Sequence, residues 1–191
     1  MNMGLIKRPT YEIVNLVSTG SLDLSLDLYR LAFKLKNIEY EPEQFPGAIL
    51  RINNPKCAML IFKNGKMNVV GCRDEETMKK AIKTVFKMIA PYSITPPPKR
   101  YKPKYRITNI VASGDLGVSL DLYQLAAKLK NVEYEPEQFP GAIMKLEDPK
   151  ASLLLFKNGK VIIQCDREED IKKTLKKVAK ILEPFASPRE K

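Results

Sequence analysis

The segment Tyr40-Glu-Pro-Glu-Gln-Phe-Pro-Gly-Ala-Ile49 occurs a second time, as Tyr134-Glu-Pro-Glu-Gln-Phe-Pro-Gly-Ala-Ile143. Phe45 and Phe139 set the offset at 94 residues, and it runs without a gap from Tyr11/Tyr105 to Lys66/Lys160. About two positions in three are identical over that span. Duplication on this scale makes the chain two copies of one unit. Stacked arrays need three or more repeats to share a continuous core, so a closed pair is expected instead.

Charge narrows the partner. The 191 residues carry 33 Lys and Arg against 22 Asp and Glu, a formal charge of +11. Such an excess suits a polyanion, nucleic acid first, with a merely solvated Lys-rich surface as the other reading. Histidine is absent, and Cys57, Cys72 and Cys165 lack metal-ligand spacing. Neither a metal site nor a cofactor is therefore expected. Free cysteines in odd number fit a reducing, cytoplasmic compartment. No apolar run approaches the roughly 20 residues of a membrane span, and no membrane partner is expected. General base work without histidine would fall to carboxylates, Lys or Cys. The carboxylates sit at helix starts and in the repeated loops, where simpler roles exist, so no enzyme is expected.

Along the chain, Met1–Thr10 reads as a loose basic arm. Tyr11–Ser18 reads as a strand broken by Gly20 and Ser21. Leu24–Asn37 has Leu28, Leu31, Ala32 and Leu35 at helical spacing, with Ser25 as a candidate cap. Residues 38–41 form a short strand. Pro42 and Pro46-Gly47 hold Phe45 in a loop. Strands follow at Ala48–Ile52, Cys57–Phe62 and Met67–Val70, the last two joined by an Asn64-Gly65 hairpin signal. Asp74–Ala90 closes the unit as a helix with acidic residues at its start, and Glu168–Leu182 has the same design. Between these helices the offset drops to 93, so one residue is missing from the second strand-to-helix connection. The resulting organisation is an arm (1–10), a first repeat (11–92), a linker (93–104), a second repeat (105–185) and a tail (186–191).

These motifs together resemble the TATA-box-binding protein family, in its archaeal form. The doubled Glu-Pro-Glu-Gln-Phe-Pro-Gly carries the likeness. So do Leu60-Ile-Phe-Lys-Asn-Gly-Lys66 with Leu154-Leu-Phe-Lys-Asn-Gly-Lys160, and Asn15-Leu-Val17 with Asn109-Ile-Val111. The resemblance covers about residues 11–185. It implies an α+β fold, a two-fold pseudo-symmetric saddle of two β-α-β4-α repeats. Ten antiparallel strands form its curved sheet, helices cover the convex face, and the concave face meets the DNA minor groove.

The resemblance also assigns roles. Phe45 and Phe62, with Phe139 and Phe156, are implied to wedge between base pairs. Asn15, Val17, Leu60, Val70, Asn109, Val111, Leu154, Ile162 and Gln164 are implied to contact bases, and Arg51, Lys66, Arg73, Lys145 and Lys160 phosphates. Glu135, Glu137 and Gln138 are implied to engage transcription factor B. The implied partners are double-stranded promoter DNA, factor B and, indirectly, RNA polymerase. The implied location is the cytoplasm, at the nucleoid (the nucleus in a eukaryote). A monomer is implied on DNA, with a homodimer off DNA left open.

From the residues alone, the apolar strand positions read as core before anything else, and the paired asparagines read also as satisfied buried amides. The alternative function is a basic architectural protein that binds any duplex. One departure stands out. Family members usually follow the fifth strand with Thr-Gly-Ala-Lys, where this chain has Val70-Gly-Cys-Arg73 and then Gln164-Cys-Asp-Arg167, with the Gly lost from the second. That change is expected to alter which A/T-rich site is read.

Overall fold

The computed structural model describes residues 4–189. The chain divides into two compact units, residues 15–108 and residues 109–189 with the chain start up to Val14. The first run of elements is β1 (Thr10–Ser21), α1 (Leu28–Lys34), β2 (Ile38–Glu39), β3 (Ala48–Asn53), β4 (Lys56–Ile61), β5 (Lys66–Cys72) and α2 (Glu75–Ile89). The second is β6 (Lys104–Asp115), β7 (Val118–Leu120), α3 (Leu122–Lys128), β8 (Val132–Glu133), β9 (Ala142–Glu147), β10 (Lys150–Leu155), β11 (Lys160–Cys165), α4 (Glu168–Leu182) and β12 (Ala186–Pro188). Ten strands form an antiparallel sheet in the order β2-β3-β4-β5-β1-β6-β11-β10-β9-β8. The ten strands, four helices and two repeats that the resemblance implies are all present.

Away from one bulge in β5, the inner strands of each half-sheet alternate with period two. In β4 and β5, Cys57, Met59, Ile61, Met67 and Val69 are buried while Ala58, Leu60, Asn68 and Val70 keep some exposure. Successive strand side chains point to opposite faces, so one face is core and the other is left to solvent. The core face is covered by the amphipathic long helix of its own unit. On α2 the buried stripe is Met78, Ala81, Ile82, Val85 and Ile89. On α4 it is Ile171, Thr174, Leu175, Val178 and Leu182. Cys57, Cys72 and Cys165 are buried and unoxidised. The Cys57 thiol, bonded to Cys72 and buried, is held well above the ordinary thiol range. Among the described residues no cluster of metal-ligating side chains forms, and no helix is long and apolar enough to cross a membrane.

Four expectations need correction. The strand β1 does not stop at Ser18 but runs on through Ser21. Gly20 sustains it rather than breaking it, because a Cβ there would lie 2.1 Å from the Lys104 carbonyl oxygen. The first helix starts at Leu28, not Leu24, and its cap is Asp27, whose carboxylate accepts from the Arg30 amide at 3.2 Å. Leu24 and Leu26 are buried in extended chain, and Leu26 bridges to Ser93. The arm is not loose at Leu5 and Ile6. Ile6 is buried, and the Leu5 and Ile6 amides both donate to the Glu183 carboxylate. The outer ends of the arm and the tail, residues 1–3 and 190–191, lie outside the described residues.

The fourth correction concerns the missing residue. It is absent from the strand itself and not from the connection after it. In the first half, Ser18 pairs with Val69 but Leu16 pairs with Cys72, a β-bulge that places an extra residue in β5. Gly71 sits in that bulge at φ +95°, a conformation that glycine adopts without a Cβ penalty. In the second half β11 pairs with β6 in unbroken register, from Lys160 with Asp115 to Cys165 with Ile110. Cys165 therefore occupies the place of Cys72, and the gap falls on Gly71.

Candidate nucleic-acid interface

The solvent-side face of each half-sheet is a ladder of opposed residues. In unit 15–108 one rung runs Ile49, Leu60, Asn68, Thr19, and the next runs Arg51, Ala58, Val70. In the other unit the matching rungs are Ile143, Leu154, Ile162, Ser113 and Lys145, Ser152, Gln164, Val111. The structure thus brings Leu60 and Val70 onto one face, and Val111, Leu154, Ile162 and Gln164 onto the other. Asn15 and Val17 on β1, and Asn109 on β6, keep partial exposure like these rung residues.

Asn15 is neither a free amide nor a fully buried one. Its Oδ1 accepts the Gly71 amide at 2.7 Å, so the bulge fixes the side chain. The Nδ2 group is left with its two donors for whatever meets the sheet. Among the described residues Asn109 lacks this anchor, since its half has no bulge glycine.

A pair of phenylalanines stands at the loop between β2 and β3 of the first half. The loop is wound tight by the Gln44 and Phe45 amides, both donating to the Glu41 carbonyl at 2.9 Å. Phe45 is lifted from the sheet, 38% exposed, and meets Phe62 edge to face with ring centroids 5.9 Å apart. The second half repeats this, with Phe139 37% exposed and 6.0 Å from Phe156. Both rings of each pair rest on a glycine. A Cβ on Gly47 would lie 2.9 Å from Phe45 and 3.0 Å from Phe62, and Gly141 is crowded in the same way by Phe139 and Phe156. The Pro-Gly after each Phe is therefore a seat for two rings as well as a turn. Phe62 and Phe156 are half-buried, neither core nor free.

The basic residues lie at the borders of these faces. Arg51, Lys66, Arg73, Lys145 and Lys160 are all exposed. Arg51 is 3.5 Å from the exposed Glu39, a weak pair that a phosphate could displace, and Lys160 is 3.6 Å from the half-buried Asp115. Arg73 has no basic counterpart, because with Cys72 matched to Cys165 the residue at its place is Asp166. Glu135, Glu137 and Gln138 are exposed in the second loop, as are Glu41, Glu43 and Gln44 in the first. Behind each loop stands an edge-to-face tyrosine pair, Tyr29–Tyr40 at 5.0 Å and Tyr123–Tyr134 at 5.1 Å.

The structure adds face residues that sequence reasoning passed over: Thr19, Ile49, Ala58 and Asn68, with Ser113, Ile143 and Ser152. The signal was available. Ile162 was singled out, and its copy 94 residues earlier is Asn68. Its polarity hid it, since an amide in a strand does not suggest an apolar face.

Comparison with known proteins gives one answer. A family model described as transcription factor TFIID (or TATA-binding protein, TBP) matches residues 10–92 and 104–185. The TATA-box-binding protein of Sulfurisphaera tokodaii is 45% identical over 168 residues, covering 87% of this chain and 83% of that protein. That of Methanocaldococcus jannaschii is 42% identical over 174 residues, covering 91% and 93%. The solved structure of Methanococcus jannaschii TBP superposes with a TM-score of 0.83 at 40% identity, covering 92% of this chain and 99% of that one.

Proposed function

Since the chain belongs to the transcription factor TFIID (or TATA-binding protein, TBP) family, we propose that it serves transcription initiation by seating A/T-rich promoter DNA, minor groove inward, on the solvent side of its sheet. The observation that carries this reading is the doubled face itself. Each half offers an apolar ladder bordered by Arg and Lys, with two phenylalanines propped at its loop end. Minor-groove edges of A·T and T·A expose acceptors only, while G·C adds the guanine amino group. Leu60, Val70, Leu154 and Ile162 tolerate the first and leave the second unpaired. The Asn15 and Asn109 amides supply donors to adenine N3 or thymine O2.

The phenylalanine pairs are the wedges. Insertion of an apolar side chain unstacks a base step at a cost of a few kcal/mol, a magnitude known from this family among other minor-groove binders. Kinking then offsets that cost by bringing more DNA against the protein, most readily at flexible steps such as TA. Arg51, Lys66, Arg73, Lys145 and Lys160 hold phosphates, which makes binding fall steeply with salt. Glu135, Glu137 and Gln138 engage transcription factor B, and polymerase follows indirectly. Glu135→Arg with Glu137→Arg should abolish a ternary complex with factor B while DNA binding persists; loss of both would count against this surface.

Energy transfer across an end-labelled duplex tests the central claim. A large bend is expected on a TATA-type duplex and none on a G/C-rich one. Phe45→Ala with Phe139→Ala should remove the bend. Equal binding to both duplexes without bending would instead favour a general basic coat.

A further inference from the structure

The two faces differ most at one rung. In unit 15–108 it reads Arg51, Ala58, Val70, and in the other unit it reads Lys145, Ser152, Gln164. Ser152 and Gln164 are direct cross-strand partners on β10 and β11, and both are exposed. With Asn109 and Lys145 they line one shallow pocket. The unbroken β11 register holds Gln164 on this face, between Ser152 and Val111. A hydroxyl and an amide thus stand where the first half has a methyl and an isopropyl group.

The chemistry of this pair is specific. A guanine in the minor groove presents its amino donor beside the N3 acceptor. The Gln164 Oε1 can accept from that amino group while Nε2 donates to N3 of the same base, and the Ser152 hydroxyl offers a further acceptor or donor. Val70 and Ala58 offer neither, so a guanine amino group against them loses water without replacement. Against A·T, Oε1 has no donor to meet.

We propose, resting on the minor-groove reading above, that Gln164 and Ser152 are specificity-determining residues that accept a G·C pair. They do so at one position of the half-site under residues 109–189, while the half-site under residues 15–108 excludes G·C at the matching position. The recognised site is then asymmetric, and the protein alone carries a preferred direction on DNA.

The experiment is a fluorescence anisotropy titration against an A/T-rich duplex into which single G·C pairs are introduced position by position. The wild-type chain should tolerate or prefer G·C at one position in one half-site and lose on the order of ten-fold in affinity at the mirror position. Gln164→Val with Ser152→Ala, which copies the first half, should lose on the order of ten-fold at the tolerant position too, measured relative to the variant's own affinity for the parent duplex. The reciprocal Val70→Gln with Ala58→Ser should make the excluded position tolerant. All four are exposed or half-exposed face positions, and a thermal melt checks that each variant folds. Equal penalties in both half-sites of the wild type, or a scan unchanged by the variants, would overturn the proposal while leaving A/T-rich recognition intact. Failure of the parent duplex to outcompete a G/C-rich duplex would withdraw the functional reading, and this inference with it.

Discussion

The first and second halves share their loops, their phenylalanine seats and their strand order, yet the last strand of each half is built differently. In β5 a bulge at Gly71 locks Asn15 by a 2.7 Å bond. In β11 the register is regular and Gln164 stands directly opposite Val111. Removing one residue did not turn the strand over, because the residue lost was the one that made no ladder pair. Cys72 and Cys165 both stay buried, and the long helix that follows packs in the same way in each half. Duplicated halves can therefore diverge on the binding face without cost to the core, provided that the change falls on a bulge.

The sharpest way to break this comparison is to delete a residue that is paired. Loss of Ile163, buried and opposed to Ala112, would shift Gln164 toward the core face and reverse every side chain beyond it. That variant should fail to fold, as read by loss of a cooperative melt. Deleting Gly71 should instead leave a folded chain in which Val70 meets Val17, at a cost of about 1 kcal/mol for the Asn15 bond. Equal damage from the two deletions would show that the bulge is structural and not a tolerated insertion.

Helix capping separates the halves next. Asp74 caps α2 by accepting the Thr77 amide at 2.7 Å, which holds its carboxyl below the usual range. The corresponding residue before α4 is Arg167, which makes no side-chain cap bond. Asp74→Ala should cost about 1 kcal/mol, and Arg167→Asp should add a similar amount, by chemical denaturation. No gain at position 167 would mean that the acidic first turn of α4 already satisfies its amides.

Smaller still are two orphan hydroxyls. Ser18 and Thr174 are fully buried, and among the described residues neither hydroxyl has a partner. Each corresponds to an alanine in the other copy, Ala112 for Ser18 and Ala81 for Thr174. Ser18→Ala and Thr174→Ala should each be neutral or stabilising by up to about 1 kcal/mol, because an unpaired buried hydroxyl pays desolvation without return. A loss of more than that would reveal a water or a bond that the buried hydroxyl depends on.

The smallest effect is a pH dependence centred on Asp115 in the second half. There β12 pairs with β7, and Arg189 reaches back to Asp115. The Arg189 bond, then the Gly117 amide and the Lys160 charge, hold the Asp115 carboxyl down to about 2. A depressed carboxyl contributes stability that is complete above its ordinary value of 3.8 and is lost as pH falls toward 2. Arg189→Ala should lower Tm slightly at neutral pH and flatten the decline of Tm between those two values. An unchanged acid limb would place the sensitivity elsewhere. The first half has Ser21 at this place.

Much of this was written in the sequence alone. The repeat dictated two equivalent units, because identical strings of this length carry identical local preferences. Period-two alternation and the Asn-Gly turn determined which strand residues share a face, since the pleat leaves no other choice. The family motifs identified the phenylalanines and the repeated acidic loops. What only the tertiary structure decided was set by contacts between residues distant along the chain. Local signals stopped β1 at Gly20, but the Lys104 carbonyl across the sheet requires glycine there and lets the strand run on. Local signals capped the first helix at Ser25, but burial of Leu24 and Leu26 keeps that stretch extended until Asp27. The lost glycine can be read in the sequence, but not why its loss leaves the strand in register. A bulge exists only relative to its partner strand, so the bulge itself, the Asn15 lock on it and the pairing of Gln164 with Ser152 and Val111 appear only when the strands meet.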